Sequence, residues 1–521
     1  MQKIVVIGSG LSAISTIKIL VEKGLKPIVL DYGQSLEKEN ETKKNKCASV
    51  EPNQWEAQDI EKLITNPTIN NKFPKKMYMG SDFFYLKKND FINLKMSKDE
   101  LKESLPAASL AKNGLSTSWG SSVLPLYKGN NKKFPFKIEL LDKYYKKILS
   151  DINYVAENDS LIKKFEIYKN PDHAHKNNRD IIQILNKLEK NKLFNNSFVS
   201  GHSRLLVNFS EKKGCKNCGN CLSGCVYNFI YKPEQYLNTL IKSNKIEYVP
   251  GVFVNFYTKE RNGNIKVNFI DKNKKTNSIV CEKLIVAAGA LNSTILHTKS
   301  FNLYEQKFKL LNKNGLVFPI LSFQLNKDIW PNRHTMPLFF LCQIKDDKVG
   351  MFAQISKANE LIIKKLHGKW NKHSILSKIF SNYFLIAHSN LDSENSDSYE
   401  IKVNSEMSKK NTLVEIDKIY NKNKTKIEFD YLKKFKKIFN STNLYPIFYI
   451  KKETDSQHNG GSLPMVEQIK NVYEVDEKGN SVYSKNIFYV DSAVLPELPA
   501  TPIALPMMAN AMRIVDKINF S

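Results

Sequence analysis

The stretch KIVVIGSGLSAISTIKILVEKGLKPIVLD, residues 3–31, decides the fold class. It begins with a β-branched run typical of a buried parallel strand and passes through a glycine-rich turn into a helical stretch. A second strand then returns to an acidic residue. A strand, turn, helix, strand and acid in this order form the dinucleotide-binding βαβ pattern. The chain is therefore predicted to have an α/β fold with a Rossmann-like domain.

Each position of the glycine-rich turn has its own physical role in this pattern. Gly8 permits the tight turn after the first strand, and Gly10 lets the backbone approach a pyrophosphate. Ala13 keeps the helix close to the strand, and Asp31, 21 positions after Gly10, can accept hydrogen bonds from ribose hydroxyls. The pattern itself is compatible with NAD and with FAD. The predicted contacts to the dinucleotide are Gly8, Gly10, Leu11, Ser12, Ala13 and Asp31.

The composition and charge of the whole chain restrict the class of protein. With 521 residues, of which 41% are hydrophobic and 25% charged, the chain is predicted to be globular with more than one domain. A net charge of +27 is compatible with a nucleic-acid or anionic membrane surface, or with a lysine-rich composition alone. Because the lysines are spread in short groups, we expect no nucleic-acid binding and leave open a peripheral contact with an acidic membrane. No long apolar run and no secretory signal pattern are found, which predicts a cytoplasmic protein.

Four further segments carry glycine-rich or strand-ending patterns. They are NGLSTSWG at 113–120, KLIVAAGALNS at 283–293, HNGGSLPM at 458–465, and NIFYVDSAVLP at 486–496, which continues through PATP at 499–502. Their order resembles that of the glucose-methanol-choline (GMC) oxidoreductases. This resemblance implies an FAD-binding domain of the GMC type. The flavin-contacting residues that it implies are Gly114, Ser118, Trp119, Gly120, Ala288, Gly289, Asp491 and Pro502.

The resemblance also implies an active-site base. His458 lies in the segment that is similar to the one bearing the family's active-site histidine, and a neutral imidazole suits removal of a hydroxyl proton. Thr501 stands where the family usually has asparagine or a second histidine. Its hydroxyl can bind the substrate oxygen or can cap the last helix, and both roles stay open. The first loop also departs from the family, because Leu115–Ser118 replaces the usual paired glycines.

A cluster of four cysteines predicts a metal centre. Its members, Cys215, Cys218, Cys221 and Cys225, have the spacing of bacterial ferredoxins, with Val226 in place of the usual proline. The segment also resembles the cysteine segment of GMC-type sugar dehydrogenases that carry an iron–sulfur cluster. A 3Fe-4S or 4Fe-4S cluster that relays electrons is the first interpretation, a structural zinc site the second, and cysteines without a ligand the third.

The domain organisation follows from where these segments lie. We predict an FAD-binding domain at 1–300, a substrate-binding domain at 301–455, and a C-terminal return to the FAD domain at 456–521. Insertions are expected at about 35–110 and 146–200, the latter mainly helical, with a Cys-rich segment at 214–226. The substrate domain is predicted to be α+β with an antiparallel sheet. Its predicted elements are strands at 316–325, 335–344, 349–355, 383–389, 398–404 and 412–419, and helices at 359–366 and 425–439; strands at 247–257 and 265–270 form a separate small sheet.

The function implied is oxidation of a CH–OH group by hydride transfer to the N5 atom of FAD, with His458 as base. The substrate is a small-molecule alcohol, and the cluster-bearing relatives favour a sugar or sugar derivative. An iron–sulfur cluster would pass electrons to an acceptor protein or a quinone. Two alternatives stay open. One is a sterol or long-chain alcohol oxidase or dehydrogenase without a cluster, and the other is a non-catalytic binding protein with a degenerate flavin fold.

Overall fold

The structure is a computed structural model. It describes residues 3–56, 58–59, 63, 77–84, 86, 91–96, 105–129, 131–166, 179–191, 197–210, 212–323, 334–358, 383–405, 412–448, 452–455 and 457–520. Across these ranges the strands form four sheets. No helix within them is long and apolar enough to cross a membrane.

Strands and helices alternate at the start of the described chain, and its middle and second half contain long runs of consecutive strands. The strands are β1 (Ile4–Ile7), β2 (Ile28–Asp31), β3 (Ile92–Met96), β4 (Phe198–His202), β5 (Glu247–Pro250), β6 (Phe253–Lys259), β7 (Ile265–Ile270), β8 (Thr276–Cys281), β9 (Lys283–Val286), β10 (Lys307–Leu311), β11 (Asn314–Ser322), β12 (Pro337–Lys345), β13 (Lys348–Lys357), β14 (Phe384–Leu391), β15 (Ser398–Val403), β16 (Thr412–Ile419), β17 (Leu444–Pro446), β18 (Lys452–Asp455) and β19 (Ile487–Tyr489). The α-helices are α1 (Leu11–Glu22), α2 (Lys38–Ala48), α3 (Asp142–Asp151), α4 (Ser160–Phe165), α5 (Arg179–Lys190), α6 (Pro233–Lys242), α7 (Ala290–Ser300), α8 (Lys424–Asn440) and α9 (Ala504–Asp516).

A five-stranded parallel sheet lies at the centre of the largest apolar core. Its order is β19-β9-β1-β2-β5, so β1 is flanked by β9 on one side and by β2 on the other. This is the strand order of a doubly wound α/β sheet, in which a ligand crevice opens beside the carboxyl end of the first strand. The predicted strand, turn, helix and strand at the start of the chain are confirmed as β1, α1 and β2.

Helices α1 and α9 pack side by side against this sheet. Their carboxyl ends are joined, because the Lys23 Nζ just after α1 donates to the backbone oxygen of Asp516 at 2.7 Å. Since α1 begins directly after β1, its amino end lies at the carboxyl edge of the sheet, and α9 points the same way. Helix amino ends attract anions, so this edge suits a phosphorylated ligand.

The small sheet predicted beyond residue 246 is present, with one correction to its strands. Strands β6, β7 and β8 form an antiparallel sheet. The prediction of one strand from Glu247 to Tyr257 was wrong, because the chain breaks at Gly251, whose φ is +75°. The part before the break, β5, pairs in parallel with β2 instead. A left-handed glycine thus separates a strand of the central sheet from a strand of the small one.

The antiparallel sheet predicted for the second half of the chain is present but is built differently. Strands β11 to β14 lie together with β17 and β18, and the edge strand is β4, from a region predicted to be mainly helical. Strands β15 and β16 belong to a separate four-stranded sheet with β10 and β3. Helix α8 confirms the helix predicted at 425–439 and covers one face of the larger sheet together with α5. The helix predicted at 359–366 lies outside the described residues.

Candidate functional site

The glycine-rich turn after β1 has the geometry that the sequence predicts. Gly8 has φ +102°, and a β-carbon there would lie 2.5 Å from the backbone oxygen of Ala287, at the end of β9. Gly10 precedes α1, and its backbone oxygen accepts the first helical hydrogen bond, from Ile14 N at 2.9 Å. A side chain at Gly8 is therefore excluded by the fold itself. At Gly10 a β-carbon would have a nearest neighbour 3.6 Å away, so the fold alone leaves room there.

Asp31 lies at the end of β2 and is bound from two sides. The Ser9 Oγ donates to Asp31 Oδ2 at 2.5 Å, and the Tyr248 hydroxyl donates to the same oxygen at 2.9 Å. Burial raises the pKa of Asp31 to about 6, although these two hydrogen bonds and the charge of Lys112 act in the opposite direction. The carboxylate is therefore buried, hydrogen-bonded and still ionised near neutral pH. Its remaining lone pairs can accept hydroxyl groups of a ligand.

A cleft opens beside Asp31 at the carboxyl edge of the parallel sheet. Its walls come from the ends of β1 and β2, the start of β6 and one side of α7, and they are mostly apolar. The polar groups in it include Asp31, Asn255, Asn292 and Lys299. Burial lowers the pKa of Lys299 to about 8, and its Nζ donates to Asn255 Oδ1 and, at 2.9 Å, to Thr412 Oγ1. An apolar slot with a carboxylate at one end suits a flat ring joined to a sugar.

The second predicted glycine loop lies across the first. Residues Gly114–Ser118 form a short 3₁₀ helix, and a β-carbon on Gly114 would be 3.9 Å from the Gly10 Cα. The Asn113 N donates to Ser9 Oγ at 3.1 Å, so a chain of hydrogen bonds runs from the second loop through Ser9 to Asp31.

The rest of this loop is fixed by its side chains. The Ser118 Oγ donates to the Met77 backbone oxygen at 3.0 Å, and the Trp119 Nε1 donates to that of Tyr231 at 2.7 Å. Gly120 has open space where a side chain would be. The loop is therefore anchored on both sides while its glycines stay uncovered.

The end of β9 is joined to the C-terminal segment by Asp491. This buried carboxylate accepts hydrogen bonds from Gly289 N at 2.8 Å, Ser293 Oγ at 2.5 Å and Ala493 N at 2.9 Å. Burial raises its pKa above the usual range. Ala288, directly before Gly289, lines the cleft. The predicted flavin-contacting role of Asp491 is not tested by these contacts, which show it holding two segments together.

One short segment brings the two predicted catalytic residues into one neighbourhood. Leu311 and Gly460 exchange both backbone hydrogen bonds, with N–O distances of 2.8 and 3.1 Å, and Gly460 lies two residues after His458. Two residues beyond Leu311, the Lys313 Nζ donates to the backbone oxygen of Thr501 at 2.8 Å. The His458 loop and the Thr501 turn are therefore held by the same piece of chain.

Asn459 fixes the loop that carries His458. Its Oδ1 accepts from Ala107 N at 2.9 Å, its Nδ2 donates to Asn312 Oδ1 at 3.2 Å, and its backbone oxygen accepts from Ser492 Oγ at 2.8 Å. The His458 side chain is half-buried. A rigid loop with a partly exposed imidazole is the arrangement that a positioned base requires.

Thr501 is fully buried, and its hydroxyl has no hydrogen-bond partner among the described residues. The helix-capping role considered for it is wrong, because α9 begins at Ala504 with Ile503 as its N-cap residue and no side-chain cap. Pro502, also buried, follows directly. The other role considered for Thr501, donation to a substrate oxygen, stays a prediction.

The larger antiparallel sheet presents polar side chains on the face toward the second glycine loop. Phe340, Gln354 and His388 pair across β12, β13 and β14 and therefore share a face. The Ser122 Oγ, two residues after Gly120, donates to Gln354 Oε1 at 2.7 Å. The sheet thus covers the loop region, with a mixed polar and aromatic surface.

The four clustered cysteines line one small cavity. Each sulfur accepts a backbone N–H: those of Asn217, Asn220, Thr335 and Phe229 bond Cys215, Cys218, Cys221 and Cys225, respectively. Burial, together with the neighbouring thiols, raises the pKa of Cys215 to about 12 and raises that of Cys218 well above its usual range. No three His, Cys, Asp or Glu residues of the described chain are close enough to hold a metal ion.

This arrangement fits a metal centre only in part. Zinc requires its sulfur ligands about 2.3 Å from one ion, and the described cysteines do not meet that condition. The structure therefore gives no support to the zinc prediction, and it does not establish an iron–sulfur cluster. The backbone N–H groups that donate to each sulfur would stabilise thiolates. The iron–sulfur interpretation therefore stays a prediction that metal analysis can test.

Sequence reasoning missed several residues of the site. Ser9 and Asn113 connect the two glycine loops, Tyr248 binds Asp31, and Lys313 binds Thr501. Ser9 could have been noticed from its place between the two glycines. The other contacts join residues that are far apart in the chain, so nothing local in the sequence indicates them.

Comparisons with known proteins support the fold and leave the activity open. No protein-family model and no curated protein matches the sequence. Among solved structures, the chain is similar to pyridoxine 4-oxidase from Mesorbium loti, with a TM-score of 0.62 and 10% sequence identity, over 99% of this chain and 98% of that one. At this identity the match shows a shared fold. It supports the resemblance to the GMC oxidoreductases at the level of the fold, along nearly the whole chain.

Proposed function

We propose that this chain is an FAD-dependent oxidoreductase that oxidises the CH–OH group of an alcohol. The observation that carries the proposal is the meeting of five distant segments at the carboxyl edge of the parallel sheet. These are the Gly8 turn, the Gly114 loop, Gly289, the His458 loop and the Thr501 turn. The shared fold with an oxidase of nearly equal length supports this class of activity.

The residues of the cleft fit the adenosine half of FAD. Asp31 would accept the ribose hydroxyls, and the apolar walls would enclose the adenine. The backbone at Gly10 and the amino end of α1 would receive the pyrophosphate. Asp491 accepts hydrogen bonds from Gly289 and Ser293 and so joins the end of β9 to the C-terminal segment, on the side where the flavin ring would lie.

The chemistry divides between the flavin and the chain. Bound FAD supplies the hydride acceptor. His458 would remove the hydroxyl proton at an imidazole nitrogen, and the hydrogen bonds of Asn459 would hold the imidazole loop in place. Thr501 would donate its hydroxyl to the substrate oxygen. The antiparallel sheet would exclude water from the opposite face.

A polar alcohol, such as a sugar or sugar derivative, is the proposed substrate. Gln354, His388 and the buried Thr501 hydroxyl offer hydrogen bonds on the surfaces that face the loop region. A sterol or a long-chain alcohol stays the alternative class, because its hydroxyl could also meet Thr501 but its apolar body would face Gln354 and His388. The surface thus favours the polar substrate.

The test of the proposal is flavin content followed by flavin reduction. Purified protein should carry about one FAD per chain, and anaerobic addition of a panel of sugars and other alcohols should bleach the flavin with at least one of them. His458→Ala should retain FAD and slow the bleaching by about 10²–10⁴-fold, the usual contribution of a general base. A chain that binds no FAD, or a His458→Ala variant with normal reduction, would contradict the proposal. A chain that binds FAD but reacts with no alcohol would favour the non-catalytic alternative.

For the cysteine segment we propose an iron–sulfur cluster that passes electrons to an acceptor protein or a quinone. Cys221 and Cys225 pack in the same apolar cluster as Trp119 and Ala500, so a cluster there would lie beside the proposed flavin site. Iron and zinc should be assayed on anaerobically purified protein. Cys221→Ser should lose iron, whereas Cys342→Ser, a buried cysteine of the same apolar cluster outside the cavity, should keep it. Protein without iron would leave oxygen as the proposed acceptor.

A further inference from the structure

Lys313 is a buried amine with few partners. Its side chain is 1% exposed, and its Nζ donates to the backbone oxygen of Thr501 at 2.8 Å. Among the described residues it has no ion pair within contact distance. The carboxylate whose charge reaches it is Asp392, itself buried and held by the amide of Asn395. Burial outweighs the charge of Asp392 and lowers the pKa of Lys313 to about 7.

A structural hydrogen bond alone does not explain a lysine at this place. An ammonium group has three N–H donors, and the backbone oxygen of Thr501 accepts one of them in Lys313. Burying an unpaired charge costs several kcal/mol, whereas a neutral donor could hold the same backbone oxygen. The amine also lies between Leu311, which is paired with the loop of His458, and the turn of Thr501. It is therefore a chargeable group placed where the two predicted catalytic residues meet.

We infer that Lys313 is a positioning residue that orients the Thr501 turn and supplies positive charge to the flavin site when it is reduced. This inference rests on the proposed function. In the proposed reaction the hydrogen would leave the carbon as a hydride, with both electrons of the broken C–H bond, and go to bound FAD, while the hydroxyl proton would go to His458 and a carbonyl would form. The flavin thereby gains one negative charge. A nearby ammonium lowers the free energy of that reduced state.

The experiment compares the reduction equilibrium of bound flavin in the wild-type protein and four variants. Lys313→Met removes the donor and the charge, Lys313→Gln keeps a neutral donor, and Lys313→Arg keeps the charge. Lys283→Met is the matched control, because the Lys283 Nζ also donates to a neutral oxygen, that of Asn486 at 2.7 Å, but at the amino end of β9, the opposite edge of the sheet. Midpoint potentials are measured anaerobically against reference dyes, so no substrate turnover is needed.

We expect the bound flavin to be harder to reduce, and its midpoint potential to be lower, in Lys313→Met and in Lys313→Gln. A tenfold change corresponds to a potential about 30 mV lower for a two-electron couple. Lys313→Arg should restore the wild-type potential, and Lys283→Met should not change it. If Lys313→Met does not retain the flavin, the midpoint potential of Lys313→Gln tests the inference. A wild-type potential in Lys313→Gln would overturn the inference while leaving the proposed function intact. Wild-type protein without flavin would overturn the proposed function first, before any variant is compared.

Discussion

Replacing Asp31 by asparagine should stabilise the empty protein and weaken its binding of FAD. The carboxylate is buried beside Ser9 and Tyr248, and burial raises its pKa from 3.8 to about 6. An ionised carboxylate that is buried in this way lowers the stability of the folded protein when no ligand is bound. Asparagine keeps the shape and an accepting oxygen but removes the charge.

The size of the first effect follows from linkage. A pKa that rises from 3.8 to about 6 corresponds to about 3 kcal/mol of lost stability when Asp31 is ionised in both states, as an upper bound. Because the folded state binds this proton more tightly than the unfolded state does, the loss is complete above about pH 7. It decreases as the pH falls through 6 and disappears below 3.8. The gain in the Asp31→Asn variant should follow the same course.

The second effect has the opposite sign. A hydrogen bond from a ribose hydroxyl to a carboxylate contributes about 1.5–3 kcal/mol, and one to a neutral amide contributes less. FAD affinity should therefore fall about 10- to 100-fold in the variant. Wild-type affinity should itself decrease below pH 6, as Asp31 becomes protonated, whereas the affinity of the variant should not.

The assay is urea unfolding of the flavin-free protein at pH 8 and pH 5, together with FAD titration by fluorescence at both values. The wild-type protein is the reference at each pH. Loss of stability in the flavin-free variant at pH 8, or an unchanged FAD affinity, would refute the assignment of Asp31 as a buried, ionised acceptor of ribose.

Three further predictions follow from single contacts. Gly8→Ala should destabilise the flavin-free protein by about 1–3 kcal/mol, since its β-carbon would lie 2.5 Å from a backbone oxygen; Gly10→Ala, with 3.6 Å of room, should keep that stability and lose FAD, as urea unfolding and flavin content would show. Tyr248→Phe should raise the pKa of Asp31 further, so that FAD affinity begins to fall at a higher pH; an unshifted pH profile would contradict this. Thr501→Val should leave the stability nearly unchanged, because the hydroxyl has no partner among the described residues, yet slow flavin reduction by about tenfold.

The start of the chain could be predicted because its structure is determined locally. Periodicity, glycine positions and the acid at the end of β2 act within 31 residues, and β1, α1 and β2 appear as predicted. The strands of the second half were also recognised from their β-branched and aromatic runs. Which sheet each strand joins was not, because edge partners such as β4 and β3 come from segments far away in sequence.

The candidate site shows the same limit. His458 and Thr501 could be proposed because short motifs surround them, whereas Lys313 lies in an LLNKNG stretch that has the composition of an exposed turn. Its burial results from packing against a segment 188 residues away. Propensity and pattern contain no information on such a contact. The same is true of Gly251, whose positive φ moves β5 from the small sheet to the central one.

The central sheet also sets the order in which the protein can be completed. Strand β1 is made before its neighbour β9, which follows about 280 residues later, and β19 and α9 follow about 200 residues after β9. During synthesis, the apolar side of α1 that packs against α9 therefore stays exposed until α9 has left the ribosome. Such long-range pairing is slow and leaves intermediates prone to aggregation. The topology therefore predicts that folding of this chain depends on chaperones and that removal of α9 leaves α1 uncovered.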